Sequence, residues 1–178
     1  MRSAEKARPS PGFAFNAVLF ALLAANTAYF AIAGTVSKAI DASAWLVLLA
    51  LFQGETHFEG HLRSAGRKRV LRAVRLAAGA GVVVAAVGYI VENNALDALN
   101  SALWIAVVVL LEMEVRYRET VQRARLPFSS VAACLYGALA LIVLVWAVRG
   151  QWFDAYDALL WLVAFATIEV NLVGEEKA

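Results

Sequence analysis

Residues 97–114 read DALNSALWIAVVVLLEME: fourteen uncharged residues, Ala98–Leu111, closed by Asp97 on one side and by Glu112 and Glu114 on the other. Whether this stretch crosses a bilayer or only dips into one sets the architecture of the chain. A helix needs about 20 residues to traverse the ~30 Å hydrocarbon layer, and a run of about 10–14 taken alone reads as buried or re-entrant. Two more stretches pose the same question, Ala42–Gly54 with 13 uncharged residues and Ala158–Ile168 with 11. They alternate with three longer runs, Phe13–Ser37 (25), Leu76–Val91 (16) and Leu126–Val148 (23). The first and third of these span directly. The second does so once Arg72 and Arg75 extend their stems to the interface.

The basic residues decide the short stretches. If all six span, Arg2, Lys6, Arg8, the cluster Arg63–Arg75, the group Arg116, Arg118, Arg123 and Arg125, and Lys177 fall on one side, leaving Lys38 and Arg149 on the other. That is fourteen against two, and an excess of Lys and Arg marks the cytoplasmic side. Omitting the second or the fourth span would export a block of arginines. The expectation is an all-α membrane protein with six transmembrane helices near 13–34, 41–62, 70–92, 96–116, 127–149 and 155–174. They form three tandem antiparallel hairpins, 13–62, 70–116 and 127–174, between a cytoplasmic segment 1–12 and a cytoplasmic tail 175–178. Helix is preferred to strand because each backbone polar group must be satisfied within its own segment.

Composition agrees. The 178 residues are 62% hydrophobic and 17% charged, with mean hydropathy +0.68, against roughly 45–50% and about 25% in soluble domains. One Cys and three Pro rule out a disulfide scaffold and a collagen-like chain. Arg exceeds Lys twelve to four, and with abundant Ala this reads as a bacterial cytoplasmic (inner) membrane protein. The first apolar run is longer than the about 7–15 residues of a signal-peptide core, so it reads as a retained helix. Small residues at Ala21/Ala25, Ala24/Ala28, Ala77/Gly81 and Ala80/Val84/Gly88 predict close helix contacts.

The chain also repeats itself. Asp97-Ala98, Trp104, Glu112 and Glu114 match Asp154-Ala155, Trp161, Glu169 and Asn171 at one offset. Asp41-Ala42, Trp45, Gln53 and Glu55 follow more loosely, with Asp and Trp only four residues apart. Three hairpins in tandem predict a pseudo-threefold arrangement about the membrane normal, with the tryptophans in an outer belt or in the core. Mitochondrial carriers share that outline, but their Pro-x-acid-x-x-base signature is absent from every odd segment.

The acids that end the returning segments are the candidate site. Glu55, Glu59, Glu112, Glu114 and Glu169, with Gln53 and Asn171, fall in the cytoplasmic leaflet, where a carboxylate needs a partner, water or a proton. Glu59→Arg63, Glu112→Arg116 and Glu114→Arg118 have partners at i, i+4. Glu55 and Glu169 lack a basic residue on their own helix turn and are the sharpest candidates. His57 and His61, also at i, i+4, are candidate metal ligands. They are offset from Glu55 and Glu59 by about 200°, and two ligands on one turn cannot sandwich a haem.

Two functions follow. A ring of carboxylates suits a small membrane protein that handles cations, protons or a divalent metal. The alternative is a non-transporting accessory or scaffold subunit of a larger membrane complex, its acids pinned by arginines across helices. No His-Glu-x-x-His, Gly-x-Ser-x-Gly or phosphate loop is present, so an enzyme is not expected. The expected partner is the lipid bilayer, with anionic lipid at Arg63–Arg75. A homo-oligomer or larger complex is compatible with the sequence, and nucleic acid is not an expected partner.

Overall fold

Long apolar runs punctuated by glycine and asparagine, with proline kept out of their interiors, are built to be helices. In the computed structural model, which describes residues 11–57 and 65–175, they form seven helices and, among the described residues, no strand. These are α1 (Pro11–Ala33), α2 (Val36–His57), α3 (Ala65–Val91), α4 (Ala95–Arg116), α5 (Arg118–Arg123), α6 (Arg125–Val148) and α7 (Trp152–Glu175). Proline stays in first turns, Pro11 opening α1 and Pro127 third in α6, where its missing N–H would have no intrahelical acceptor. The α3–α4 and α6–α7 turns each use one left-handed residue, Asn93 (φ 54°) and Gly150 (φ 76°). Asn and Gly tolerate that geometry.

Five helices carry stretches long and apolar enough to cross a membrane: Phe15–Ala33, Val36–Gly54, Gly66–Val91, Ala95–Glu114 and Arg125–Val148. The contested stretch around Ala98–Leu111 is one of them. Val18, Val84, Val87, Leu141 and Leu144 point outward and are more than half exposed, as lipid-facing residues would be. The long helices pack in a closed circuit, α1 on α2, α2 on α3, α3 on α4, α4 on α6, α6 on α7, and α7 back on α1. The core runs through the middle, with Leu19 and Leu23 from α1, Trp45 and Leu49 from α2, Val82 from α3, Trp104 and Val107 from α4, Leu139 from α6, and Trp161 and Ala164 from α7.

The helix bounds depart from the expected ones in an informative way. α2 begins at Val36 rather than 41, α7 at Trp152 rather than 155, and α3 at Ala65 rather than 70. A short helix, α5, also sits between α4 and α6. Lys38 and Asp41 were expected at or before the membrane boundary, yet both lie inside α2. The physical reason is that partners within the bundle, described below, remove the cost of starting a helix on charged residues.

The tightest packing is between α2 and α3. A Cβ placed on Gly88 would overlap Ser37 Oγ and lie 3.2 Å from its Cβ, and one on Gly81 would lie 3.2 Å from Ala44 Cβ. Close contact at these two glycines agrees with expectation, but the face is Gly81, Ala85 and Gly88. Ala77, Ala80 and Val84 are exposed, as are Ala21, Ala25 and Ala28 of α1. Gly88→Leu is therefore expected to destabilise the bundle by about 1–3 kcal/mol through overpacking. Gly79→Leu, with nothing within 4 Å of its Cβ, should leave thermal unfolding in detergent close to wild type. Equal losses in both variants would mean that Gly88 is not a packing constraint.

Candidate functional site

The turns α1–α2, α3–α4 and α6–α7 lie at one end of the bundle, and there α2, α4 and α7 begin on the same kind of residue. Lys38, Asp97 and Asp154 are each the third residue of their helix. Acids are favoured at that position, because the helix N-terminus carries partial positive charge. Lysine is not, and Lys38 is compensated by the acids of the other two helices. Its Nζ lies 2.5 Å from Asp154 Oδ1 and 3.5 Å from Asp97 Oδ2, with side-chain exposures of 17%, 17% and 8% for Lys38, Asp154 and Asp97. The Phe30 ring from α1 stands beneath the ammonium, 5.7 Å to the centroid. Asn94, the N-cap of α4, accepts from Asp97 N and returns its amide to Asp97 Oδ2. Thr35 plays a similar part for α2, accepting from Lys38 N at 3.3 Å.

One helical turn deeper sits a second set, Asp41, Asn100 and Asp157. The Tyr89 hydroxyl from α3 donates to Asp41 Oδ2 at 3.1 Å, and Asn26 of α1 donates through Nδ2 to Asp157 Oδ1 at 2.9 Å. Asp41 Oδ1, Asn100 Oδ1 and the neighbouring Ser101 Oγ are buried with no hydrogen-bond partner. Buried acceptors are nearly always satisfied, so an unmatched set marks a place where a donor belongs. Below these residues the indoles of Trp45, Trp104 and Trp161 close the floor. Trp45 lies 6.3 Å from each of the other two, and Phe165 is 4.7 Å from Trp104. The two charged levels and the indoles line a partly open cavity of about 50 Å³, walled also by Tyr89 and Trp146. That is room for a few water-sized molecules.

Charge in the pocket does not balance. Four aspartates, Asp41, Asp97, Asp154 and Asp157, line it with one lysine. Just outside, at the end of α3, Glu92 accepts from the Ser37 hydroxyl at 2.6 Å, and that hydrogen bond holds its carboxyl below the usual glutamate range. Among the described residues, no group of three or more His, Cys, Asp or Glu side chains is arranged to hold a metal ion.

The residues expected to form a site lie at the opposite end. Glu112 is exposed and paired with Arg116 at 2.5 Å, an i, i+4 ion pair on the surface of α4. Glu114 is exposed, and Gln53 is half-buried. Glu55 and His57 belong to α2, and Glu169 and Asn171 to α7, but their side chains lie outside the described residues, as do Glu59 and His61 altogether.

The pocket was missed, although a signal for it existed. When the units are aligned on Trp45, Trp104 and Trp161 rather than on the Asp-Ala pairs, they match without a gap. Fifteen residues before each Trp stand Phe30, Tyr89 and Trp146. Seven before stand Lys38, Asp97 and Asp154, and four before stand Asp41, Asn100 and Asp157. Every one of these residues lines the pocket. Alignment on the Asp-Ala pairs sets the first unit three residues out of register, with Asp41-Ala42 where Lys38-Ala39 belongs. No protein-family model, curated protein or solved structure matches the chain.

Removing Lys38 leaves two acids facing each other across α4 and α7. Breaking a buried pair costs ~3–5 kcal/mol. With 17% of the lysine side chain exposed, Lys38→Met is expected to cost about 2–3 kcal/mol. Adding Asp154→Asn should restore at least half of that loss, read by denaturant unfolding in micelles. A double variant no more stable than Lys38→Met would break the assigned pairing.

Proposed function

We propose that this chain is a six-span membrane protein that handles protons or a small monovalent cation through the pocket at the turn end of the bundle. The carrying observation is the set of four aspartates facing one lysine, with Asp41 Oδ1 and Asn100 Oδ1 buried and unpartnered. In an interior of low dielectric, uncompensated carboxylates require protons or a cation. In this reading α7, 24 residues long and so ~36 Å at the helical rise, is the sixth span, and the three hairpins are pseudo-threefold repeats. Lys38 is drawn into the pocket, so Arg149 is the exposed base at that end among the described residues. Arg67, Lys68, Arg69, Arg72, Arg116, Arg123 and Arg125 are exposed toward the other. The pocket then opens away from the cytoplasm. The acids around Glu55, Glu112, Glu114 and Glu169, together with Gln53 and Asn171, mark the inner end of the path.

A specific observation also favours the scaffold reading. Lys38 joins α2, α4 and α7 through Asp97 and Asp154, an arrangement that holds a bundle together whether or not anything binds.

Reconstitution separates the two. Vesicles containing the purified full chain should take up protons or monovalent cations down an imposed gradient. Asp41→Asn and Asp157→Asn should slow uptake at least tenfold, and the surface variant Glu119→Gln should not. Absence of chain-dependent flux under every gradient, with the chain folded, would leave the scaffold reading in possession.

A further inference from the structure

We infer that the level formed by Asp41, Asn100 and Asp157 over the three indoles binds a small ammonium-type cation, ammonium itself or methylammonium. This rests on the cation-handling reading and narrows it to one chemical class.

The molecule already contains an example of the chemistry. One turn above, the primary ammonium of Lys38 is held by one carboxylate from α4 and one from α7, with an aromatic face 5.7 Å away. The deeper level repeats those ingredients without a lysine of its own. It offers carboxylates from α2 and α7, an amide oxygen from α4, and indoles on the side away from the turns, Trp45 and Trp161 turning their N–H groups toward Asp41 and Asp157. Two of its oxygens, Asp41 Oδ1 and Asn100 Oδ1, have no donor, whereas Asp41 Oδ2 and Asp157 Oδ1 are taken by Tyr89 and Asn26. The guest is thus required to bring N–H or O–H donors for a few acceptors and to present positive charge to aromatic rings. Ammonium groups do both, the second by the cation–π attraction that is strongest for tryptophan.

Metal ions fit this donor set poorly. Calcium takes about 6–8 oxygens, and magnesium gives up its water reluctantly. Indole rings present no lone pair to either. Size sets the upper limit, since about 50 Å³ matches a cation of one to a few heavy atoms and not one as large as choline.

Four of the five tryptophans line the cavity, so binding is readable in the intrinsic fluorescence of the purified full chain in detergent. Ammonium and methylammonium chloride are expected to change the emission saturably, while sodium, potassium and choline chloride at equal ionic strength do not. Asp41→Asn should weaken the ammonium response at least tenfold. Asn100→Asp, which adds a carboxylate to the same level, should strengthen it several-fold and covers the case in which Asp41→Asn does not fold. Equal responses to sodium or potassium would overturn the ammonium assignment while leaving cation handling intact. A response to choline would overturn the size limit, and no response to any cation would overturn the site. Ammonium binding without flux in vesicles would uphold this inference and remove only the transport step.

Discussion

A lysine held between two aspartates at the start of three helices is the contact on which the rest of this bundle depends. A charge placed in hydrocarbon costs several kcal/mol unless it is paired, and here the pairing runs between helices rather than along one. Lys38 of α2 reaches Asp154 of α7 and Asp97 of α4, so the three returning helices are fixed at one end at a common height. The arrangement also uses the backbone. Three helix N-termini converge there, each with partial positive charge at its exposed N–H groups, and they favour the excess of carboxylates that one lysine cannot neutralise. Such a pocket is stable where it is, and at the opposite ends of the same helices it would be opposed by their dipoles.

Packing elsewhere serves that geometry. Gly81 and Gly88 let α3 approach α2 closely, and the residue after Gly88 is Tyr89, whose hydroxyl reaches Asp41. A bulkier contact at Gly88 would move the tyrosine away from the acid as well as strain the helix pair. α1 contributes in parallel, its Asn26 bonded to Asp157 and its Phe30 placed beside Lys38. The indoles and Phe165 then seal the pocket from the aliphatic core formed by Leu23, Val107 and Leu139. The polar chamber therefore has an aromatic floor.

Element type was legible from the sequence because run length and loop charge are physical constraints that act residue by residue. Ala98–Leu111 is too short to span by its uncharged residues alone, but it lies within a helix that is long and apolar enough to cross a membrane, Ala95–Glu114. The pocket was illegible for a related reason. Uncharged runs mark only the helix interiors, which puts Lys38, Asp97 and Asp154 at the boundary and Asp41 at a helix start. A charge is admitted to a helix interior when a partner on another helix meets it, and that partner is invisible in a one-dimensional count. The tryptophans were the better anchor. They are large and buried, with Trp104 5% and Trp161 8% exposed, so their spacing records the three-dimensional register, whereas an Asp-Ala pair recurs easily by chance.

The corrected register explains why the pocket is not perfectly threefold. Aspartate at all six corner positions of the two levels would gather six like charges around about 50 Å³, and like charges so close cannot all remain ionised. Two substitutions relieve this. Lys38 replaces an acid in the upper level and reverses its sign, while Asn100 replaces one in the lower level and keeps an acceptor without the charge. The upper level is left with one lysine for two acids and the lower with two acids and no lysine, so the need for a proton or a cation is greatest next to the indoles. The unpartnered oxygens of Asp41 and Asn100 lie at that deeper level, one turn below the ion pairs by which Lys38 joins the helices.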